Sequence, residues 1–393
     1  MRSLQSAHVF CEVIDNFGDA GVCWRLARAL SAQGLAVTLW INDVQRLQQL
    51  RPALDPALAA QSVDGFQVRH WQDGEAGAAA ADAAKAAVGP DAADLVIAAF
   101  GCRLPDAYLV AMAARAAQGQ PPVWINLEYL SAEGWVERSH GLPSPHPRLK
   151  LTEHFYFPGF SSGTGGLLKE TAYDDAQRAF DDVQRHTFLA QLGVHVPRGA
   201  PLVSLFCYPG ADVAGLFAAM AAGPTVHCVV PAGVTPLAPP AGQSQASGAL
   251  TVHGIPFVEP DDYDRLLWSC DLNLVRGEDS AVRAQWAGRP LLWQLYPQDD
   301  DAHRVKLDAF LALYTAGMAP ELAGLITRAM RRWNGVSAAG DAQSAGPGSH
   351  GPDWPAWHAA LPALRLHAQQ WAARLGAQRE LAAGLIEFAG KIG

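Results

Sequence analysis

Two stretches of this 393-residue chain carry side chains whose types and spacing suit chemistry on a charged ligand. The first is VIDNFGDAGVCWRLAR, residues 13–28. An apolar strand-like run ends at Ile14, a glycine-containing turn follows, and an amphipathic helix begins near Gly21. The turn holds Asp15, Asn16, Phe17, Gly18 and Asp19, so it presents two carboxylates and backbone N–H groups where a strand meets a helix N-terminus. Such a terminus favours negative charge and can bind an anion. The alternative is that Asp15 and Asp19 only shape and cap the turn. The spacing is not GxGxxG, which disfavours a dinucleotide-dependent oxidoreductase.

The second stretch, CDLNLVRGEDSAVRAQWAGRP (270–290), runs a buried-looking strand straight into Arg276, Gly277, Glu278, Asp279 and Ser280 before a helix. Glycine there lets the backbone approach a ligand. Ser280 and the first helical N–H groups can receive phosphate oxygens, and Arg276 can neutralise a diphosphate with paired hydrogen bonds. Glu278 can accept from sugar hydroxyls, while Asp279 or Ser280 can instead cap the helix. Phe206, Tyr208 and Phe257 stand near the ends of two further apolar runs, where aromatic faces suit a nucleobase. A tyrosine before Pro-Gly is expected at a surface; the two phenylalanines fit a core equally well. Gln298, Asp299 and His303 follow another strand-like run, His303 fitting a helix start. Glu128, Tyr129, Ser131, Glu133 and Trp135 form either an acceptor groove or a packed loop.

These turns need a scaffold. Short apolar runs at 7–14, 36–42, 94–100 and 123–130 alternate with helical patterns, including an Ala-rich stretch at 76–88. The rhythm repeats with runs at 202–208, 225–230, 250–257, 271–275 and 290–296 and helices at 211–222, 280–288 and 302–315. This is the pattern of parallel sheets covered by helices. Two such halves predict an α/β chain of two Rossmann-like domains with a cleft between them, ligands binding beyond the carboxyl ends of the strands. The expected boundaries are 1–160 for the first domain, 161–188 for a partly helical linker and 189–375 for the second. A final helix at 376–393 is expected to complete the first domain, and 337–353 reads as a low-complexity loop.

Composition agrees. Half the residues are hydrophobic, 17% are charged and the formal net charge is −9, so disorder and direct nucleic-acid binding are disfavoured. Cys11, Cys23, Cys102, Cys207, Cys228 and Cys270 form no CxxC pair and read as buried thiols. With no zinc spacing, no signal peptide and no long uncharged apolar run, the expectation is a cytoplasmic protein without a metal site or a membrane contact.

Taken together, the motifs resemble the EarP family. The resemblance runs through DNFGDAGVCWRLAR (15–28), NLEYLSAEGWV (126–136), SLFCY (204–208), the long DYDRLLWSCDLNLVRGEDSAVRAQWAGRP (262–290) and YPQDDDAH (296–303). It implies a GT-B glycosyltransferase that inverts the sugar configuration. No cofactor is implied: dTDP-β-L-rhamnose is the donor substrate, and an arginine of translation elongation factor P is the acceptor. Carried over residue by residue, Asp19 is the catalytic carboxylate and Asp15 its supporting partner. Asn16, Phe17 and Gly18 lie on the donor side. Arg276, Gly277, Glu278, Asp279 and Ser280 hold the diphosphate-sugar, and Phe206, Tyr208 and Phe257 form the nucleotide pocket. One departure stands at Pro260, where the family pattern has Gln; a base contact there must be made differently. Other nucleotide sugars or acceptors, and a non-catalytic binder of elongation factor P, are the competing expectations.

Overall fold

The computed structural model describes residues 3–71, 92–297, 302–336 and 353–393. The chain divides into two compact units, Met1–Tyr173 with Leu375–Gly393, and Asp174–Arg374. The Ala-rich stretch 76–88, Gln298, Asp299 and nearly all of the 337–353 loop lie outside the described residues.

The first unit begins with β1 (Ser6–Cys11), α1 (Asn16–Ala32), β2 (Ala36–Ile41), α2 (Val44–Leu50), β3 (Ala60–Val63) and β4 (Phe66–His70). It continues with β5 (Leu95–Ala99), α3 (Asp106–Ala117), β6 (Val123–Leu127), α4 (Val136–Ser139), β7 (Pro143–Pro145) and β8 (Thr152–Tyr156). The sheet order is β3-β4-β2-β1-β5-β6-β8-β7. Its six middle strands are parallel, and β3 and β7 add antiparallel edges. The central strands β5 (LVIAA) and β6 (VWINL) are buried throughout, as expected for a sheet covered on both faces. Phe10, Trp40, Trp71, Tyr108 and Trp124 contribute to one apolar cluster on this sheet, with Phe10 and Trp40 stacked 5.7 Å apart.

After α5 (Tyr173–Ala179), the second unit contains α6 (Asp182–Gln191), β9 (Leu202–Leu205), α7 (Val213–Ala221), β10 (Val226–Pro231), β11 (Ser244–Ser247) and β12 (Leu250–Ile255). Then come α8 (Pro260–Ser269), β13 (Leu272–Arg276), α9 (Gly277–Trp286), β14 (Leu291–Gln294), α10 (Ala302–Tyr314) and α11 (Pro320–Trp333). The order is β11-β12-β10-β9-β13-β14, parallel except for β11. Helix α12 (Trp354–Gly376) leads into α13 (Leu381–Ile392), which belongs to the first unit and packs on α1.

Several strands end earlier than their apolar runs. The run 7–14 yields a strand only to Cys11, and 202–208 only to Leu205. In both, the ladder stops where the chain peels away toward the candidate residues. The helical stretch after residue 173 is two helices, because Asp181 accepts from the Gln184 N–H at 2.9 Å and starts a new one. Helix α9 begins at Gly277, three residues ahead of the expected 280. All six cysteines are buried free thiols. No helix among the described residues is long and apolar enough to cross a membrane.

Candidate active site

Numbering only the parallel strands, the first sheet runs 3-2-1-4-5-6 and the second 3-2-1-4-5. In such sheets the order reverses beside the first strand, and ligands bind at the carboxyl ends there. The reversal falls between β1 and β5 in the first unit and between β9 and β13 in the second. The 15–19 turn follows β1, Phe206 follows β9, and Arg276 ends β13. The two most chemical stretches of the sequence therefore sit at the two switch points.

In the first unit, Asp15 is the N-cap of α1 but makes no side-chain cap bond. Asp19, in the first turn, reaches back instead. Its Oδ2 accepts from the backbone N–H groups of Ile14 and Asp15, each at 2.8 Å. Both of these bonds fall on one oxygen, so they fix the carboxylate's plane without engaging Oδ1. The Gly18 N–H donates to the Asp15 carbonyl at 2.6 Å. A Cβ at Gly18 would stand 2.5 Å from Asp15 Oδ2, so the Asp15 carboxylate lies across the glycine. Asp19 is buried; burial raises its pKa above the usual carboxylate range, the two backbone bonds pull it down and the Asp15 charge adds to the rise. Yet Ile14 is 59% exposed, which brings the turn to the surface. Asp19 thus ties down the start of α1 while lying at a turn that reaches the surface. Asn16 and Phe17 are the first two residues of α1, and the Val13 N–H is tied to Asn42 Oδ1 at 2.9 Å.

In the second unit, the Arg276 guanidinium carbon lies 4.6 Å from the Phe206 ring centre and 4.5 Å from that of Tyr208. Both contacts are within cation–π range. Phe257 and Tyr263 meet Phe206 edge-on, so the predicted aromatic residues are brought together. Tyr208 corrects the expectation of a surface tyrosine: it is 5% exposed, folded under Arg276, with its N–H donating to Gln294 Oε1 at 2.9 Å. Gly277 takes φ +63°, and its carbonyl accepts from Trp293 Nε1 at 2.7 Å. Ser280 is turned inward, its hydroxyl donating to the Arg276 carbonyl, so the N-terminus of α9, rather than that hydroxyl, is the feature suited to an anion. Glu278 and Asp279 occupy that same turn, half-buried. Pro260 is buried at the start of α8, where a missing N–H costs nothing.

Other polar motif residues support the turn. Arg283 of α9 and Asp264 of α8 form a buried two-pronged pair at 2.8 and 2.6 Å. Asn273 accepts from the Ser204 hydroxyl at 2.6 Å and donates to the Leu267 carbonyl at 3.2 Å, pinning β13 to β9 and α8. Nothing local in the sequence marks Trp293, Asp264 or Arg283 as supports of the site; at Gln294 the signal is a polar residue inside an apolar strand. His303 lies in the first turn of α10. In the 128–135 segment, Ser131 and Glu133 hydrogen-bond each other, Asn126 donates to Glu128, and Trp135 is 43% exposed. No group of three or more His, Cys, Asp or Glu that could hold a metal ion occurs among the described residues.

Two Rossmann-like units with these switch-point turns define a GT-B glycosyltransferase. A solved structure of Arabidopsis thaliana UGT89C1 complexed with UDP shares the fold, with a TM-score of 0.50 at 14% identity over 98% of this chain and 99% of that one. The model of the Elongation-Factor P (EF-P) rhamnosyltransferase EarP family matches residues 7–390, and the chain belongs to that family. It is 45% identical to the protein-arginine rhamnosyltransferase of Pseudomonas putida over 97% of both chains. It is 42% identical to the Pseudomonas aeruginosa protein of the same name, covering 98% of this chain and 99% of that one. A solved structure describing EarP-mediated arginine glycosylation of translation elongation factor EF-P matches with a TM-score of 0.64 at 31% identity, over 99% of this chain and all of that one.

Proposed function

We propose that this protein transfers L-rhamnose, with inversion, from dTDP-β-L-rhamnose to the guanidinium of an arginine on elongation factor P. The observation that carries the reading is the Asp19 carboxylate, held by two N–H groups on one oxygen at a switch point. A guanidinium has a pKa above ~12 and a delocalised lone pair, so it is a poor nucleophile. A carboxylate cannot deprotonate it in the ground state, but it can orient it and take its proton as the new bond forms. In this reading an arginine nitrogen attacks the anomeric carbon as the carbon–oxygen bond to the diphosphate breaks. The leaving dTDP keeps the electron pair, and the proton passes to Asp19 Oδ1. The raised pKa of Asp19 makes it a stronger base than an ordinary aspartate. Asp15, folded over Gly18, holds the turn.

Arg276 and the N-terminus of α9 neutralise the departing diphosphate in the same reading, so it assigns no step to a metal ion. Phe206 and Phe257 provide the base-binding wall, Tyr208 supports Arg276 from beneath, and Glu278 accepts from sugar hydroxyls. The donor sugar, the inversion, the protein acceptor and a cytoplasmic location belong to this proposal together; the family membership and the switch-point geometry support it. The test is to incubate the protein with dTDP-rhamnose and elongation factor P and to read intact mass. The expected result is a gain of one deoxyhexose, absent when the acceptor arginine is replaced by lysine. No gain in mass with the unaltered acceptor overturns the reading.

A further inference from the structure

A carboxylate that takes a proton does not by itself hold the plane of the group that gives it up. In the first unit, β5 ends at Ala99, level with Cys11 of β1, and β6 ends at Leu127, level with Ala99. The next residue after β5 is Phe100, whose φ is +59°. Among the described residues only Asp64 shares a positive φ without being glycine, and Asp64 sits in an Asp-Gly hairpin turn where that conformation is ordinary. A phenylalanine in the left-handed region is disfavoured and persists only where its surroundings enforce it.

The consequence of that backbone is visible. The Phe100 N–H donates to the Leu127 carbonyl at 2.7 Å, and its ring lies nearly parallel to Tyr129, 4.6 Å away at 17°. Phe100 is buried and Tyr129 half-buried, so the pair is an aromatic slab with its outer ring partly in solvent. Adjacent strands stand roughly 4.8 Å apart, which in the order β1-β5-β6 places Phe100 one strand and Tyr129 two strands over, roughly 10 Å at the backbone, from the turn that carries Asp15 and Asp19.

We propose that Tyr129, backed by Phe100, is the stacking face for the acceptor arginine, holding its guanidinium plane while Asp19 receives the proton. The inference rests on the reaction proposed above. A guanidinium is flat and weakly hydrated and stacks on aromatic rings, whereas a lysine ammonium is compact and strongly hydrated. The slab therefore also selects arginine. The protein already makes this contact elsewhere, where Arg276 lies over Phe206 and Tyr208.

The test compares Tyr129→Leu, which removes the aromatic face, with Tyr129→Phe, which keeps it. Steady-state kinetics with elongation factor P, calorimetric dTDP affinity and melting temperature are measured for each. The expected result is a fall of about tenfold or more in kcat/KM for the acceptor in Tyr129→Leu. The Phe variant should stay within about twofold of the parent, and dTDP affinity should be unchanged in both. An acceptor kcat/KM that is unchanged in the Leu variant, or that falls equally in both, overturns the proposal. If Tyr129→Leu does not fold, Phe100→Gly answers the question. It relaxes the backbone and removes the backing ring, so lost acceptor turnover supports the slab and parental turnover refutes it. If the parent protein adds no sugar, the reaction itself is wrong; if the parent works and the ring-deleted variants match it, only this inference fails.

Discussion

The two switch points share one topology and carry opposite charge. Beyond β1 the chain places two buried carboxylates, one held by backbone N–H groups and the other folded over a glycine. Beyond β9 and β13 it places a guanidinium against two aromatic rings, at the start of a helix. The first arrangement suits a cationic group that must lose a proton. The second suits an anion that must leave. The difference shows that the fold fixes where chemistry occurs but not its sign, which is set by a handful of turn residues.

The comparison can be broken most sharply at Asp19. Asp19→Asn is expected to lower kcat by about 10²–10⁴-fold with dTDP affinity unchanged, as befits loss of a general base. Single-turnover mass analysis with calorimetry checks both halves; near-normal turnover would refute the assignment. The same variant carries a stability prediction. Since the folded-state pKa of Asp19 is raised, the native state holds its proton more tightly than the unfolded chain, and stability falls as pH rises through the window above the ordinary carboxylate value. At neutral pH Asp19→Asn should melt no lower than the parent protein, and a clear drop in melting temperature would contradict the burial argument. Activity has the opposite dependence. It should fall as pH drops through the raised Asp19 value, at a higher pH than an exposed aspartate would give.

Next in size is the buried Asp264–Arg283 pair. Asp264→Ala strands a charge 1% exposed and should destabilise the second unit by about 3–5 kcal/mol, read by denaturant unfolding. At Arg276, replacement by alanine should weaken dTDP binding by roughly 10–100-fold, in line with loss of a charged hydrogen bond. Unchanged affinity in calorimetry would remove the diphosphate role. The smallest effect is expected at Gly18→Ala. The added methyl must displace the Asp15 carboxylate 2.5 Å away, and kcat should drop about tenfold without a change in dTDP affinity. Parental kcat would mean that the position of Asp15 is immaterial.

Much of this was legible in the residues. Strands buried on both faces, such as LVIAA and VWINL, announce themselves as continuous apolar runs. The edge strands AQSV and PSP do not, because they are short and polar, and pairing with a neighbour decides their conformation. The candidate turns were visible as carboxylates, glycines and an arginine after apolar runs. What holds them was not. Gln294 meets the Tyr208 N–H from 86 positions away, and nothing local to either residue marks the bond. Tyr208 itself is buried although Pro209 and Gly210 after it are exposed, because its ring packs under Arg276 and against Tyr296. The left-handed Phe100 escaped for a related reason, since positive φ is read from glycine and asparagine, not from phenylalanine.

The first unit is assembled from both ends of the chain. The Leu381 N–H bonds to the Leu167 carbonyl, Gln378 bonds to the Phe160 carbonyl, and α13 closes over α1. During synthesis, then, the helix that bears Asp19 emerges early and waits for a partner that comes more than three hundred residues later. The second unit can complete its own contacts while the first still lacks a wall. Folding of the carboxylate site is therefore tied to translation of α13, and a protein cut after residue 374 would keep every candidate site residue and still expose the apolar face of α1.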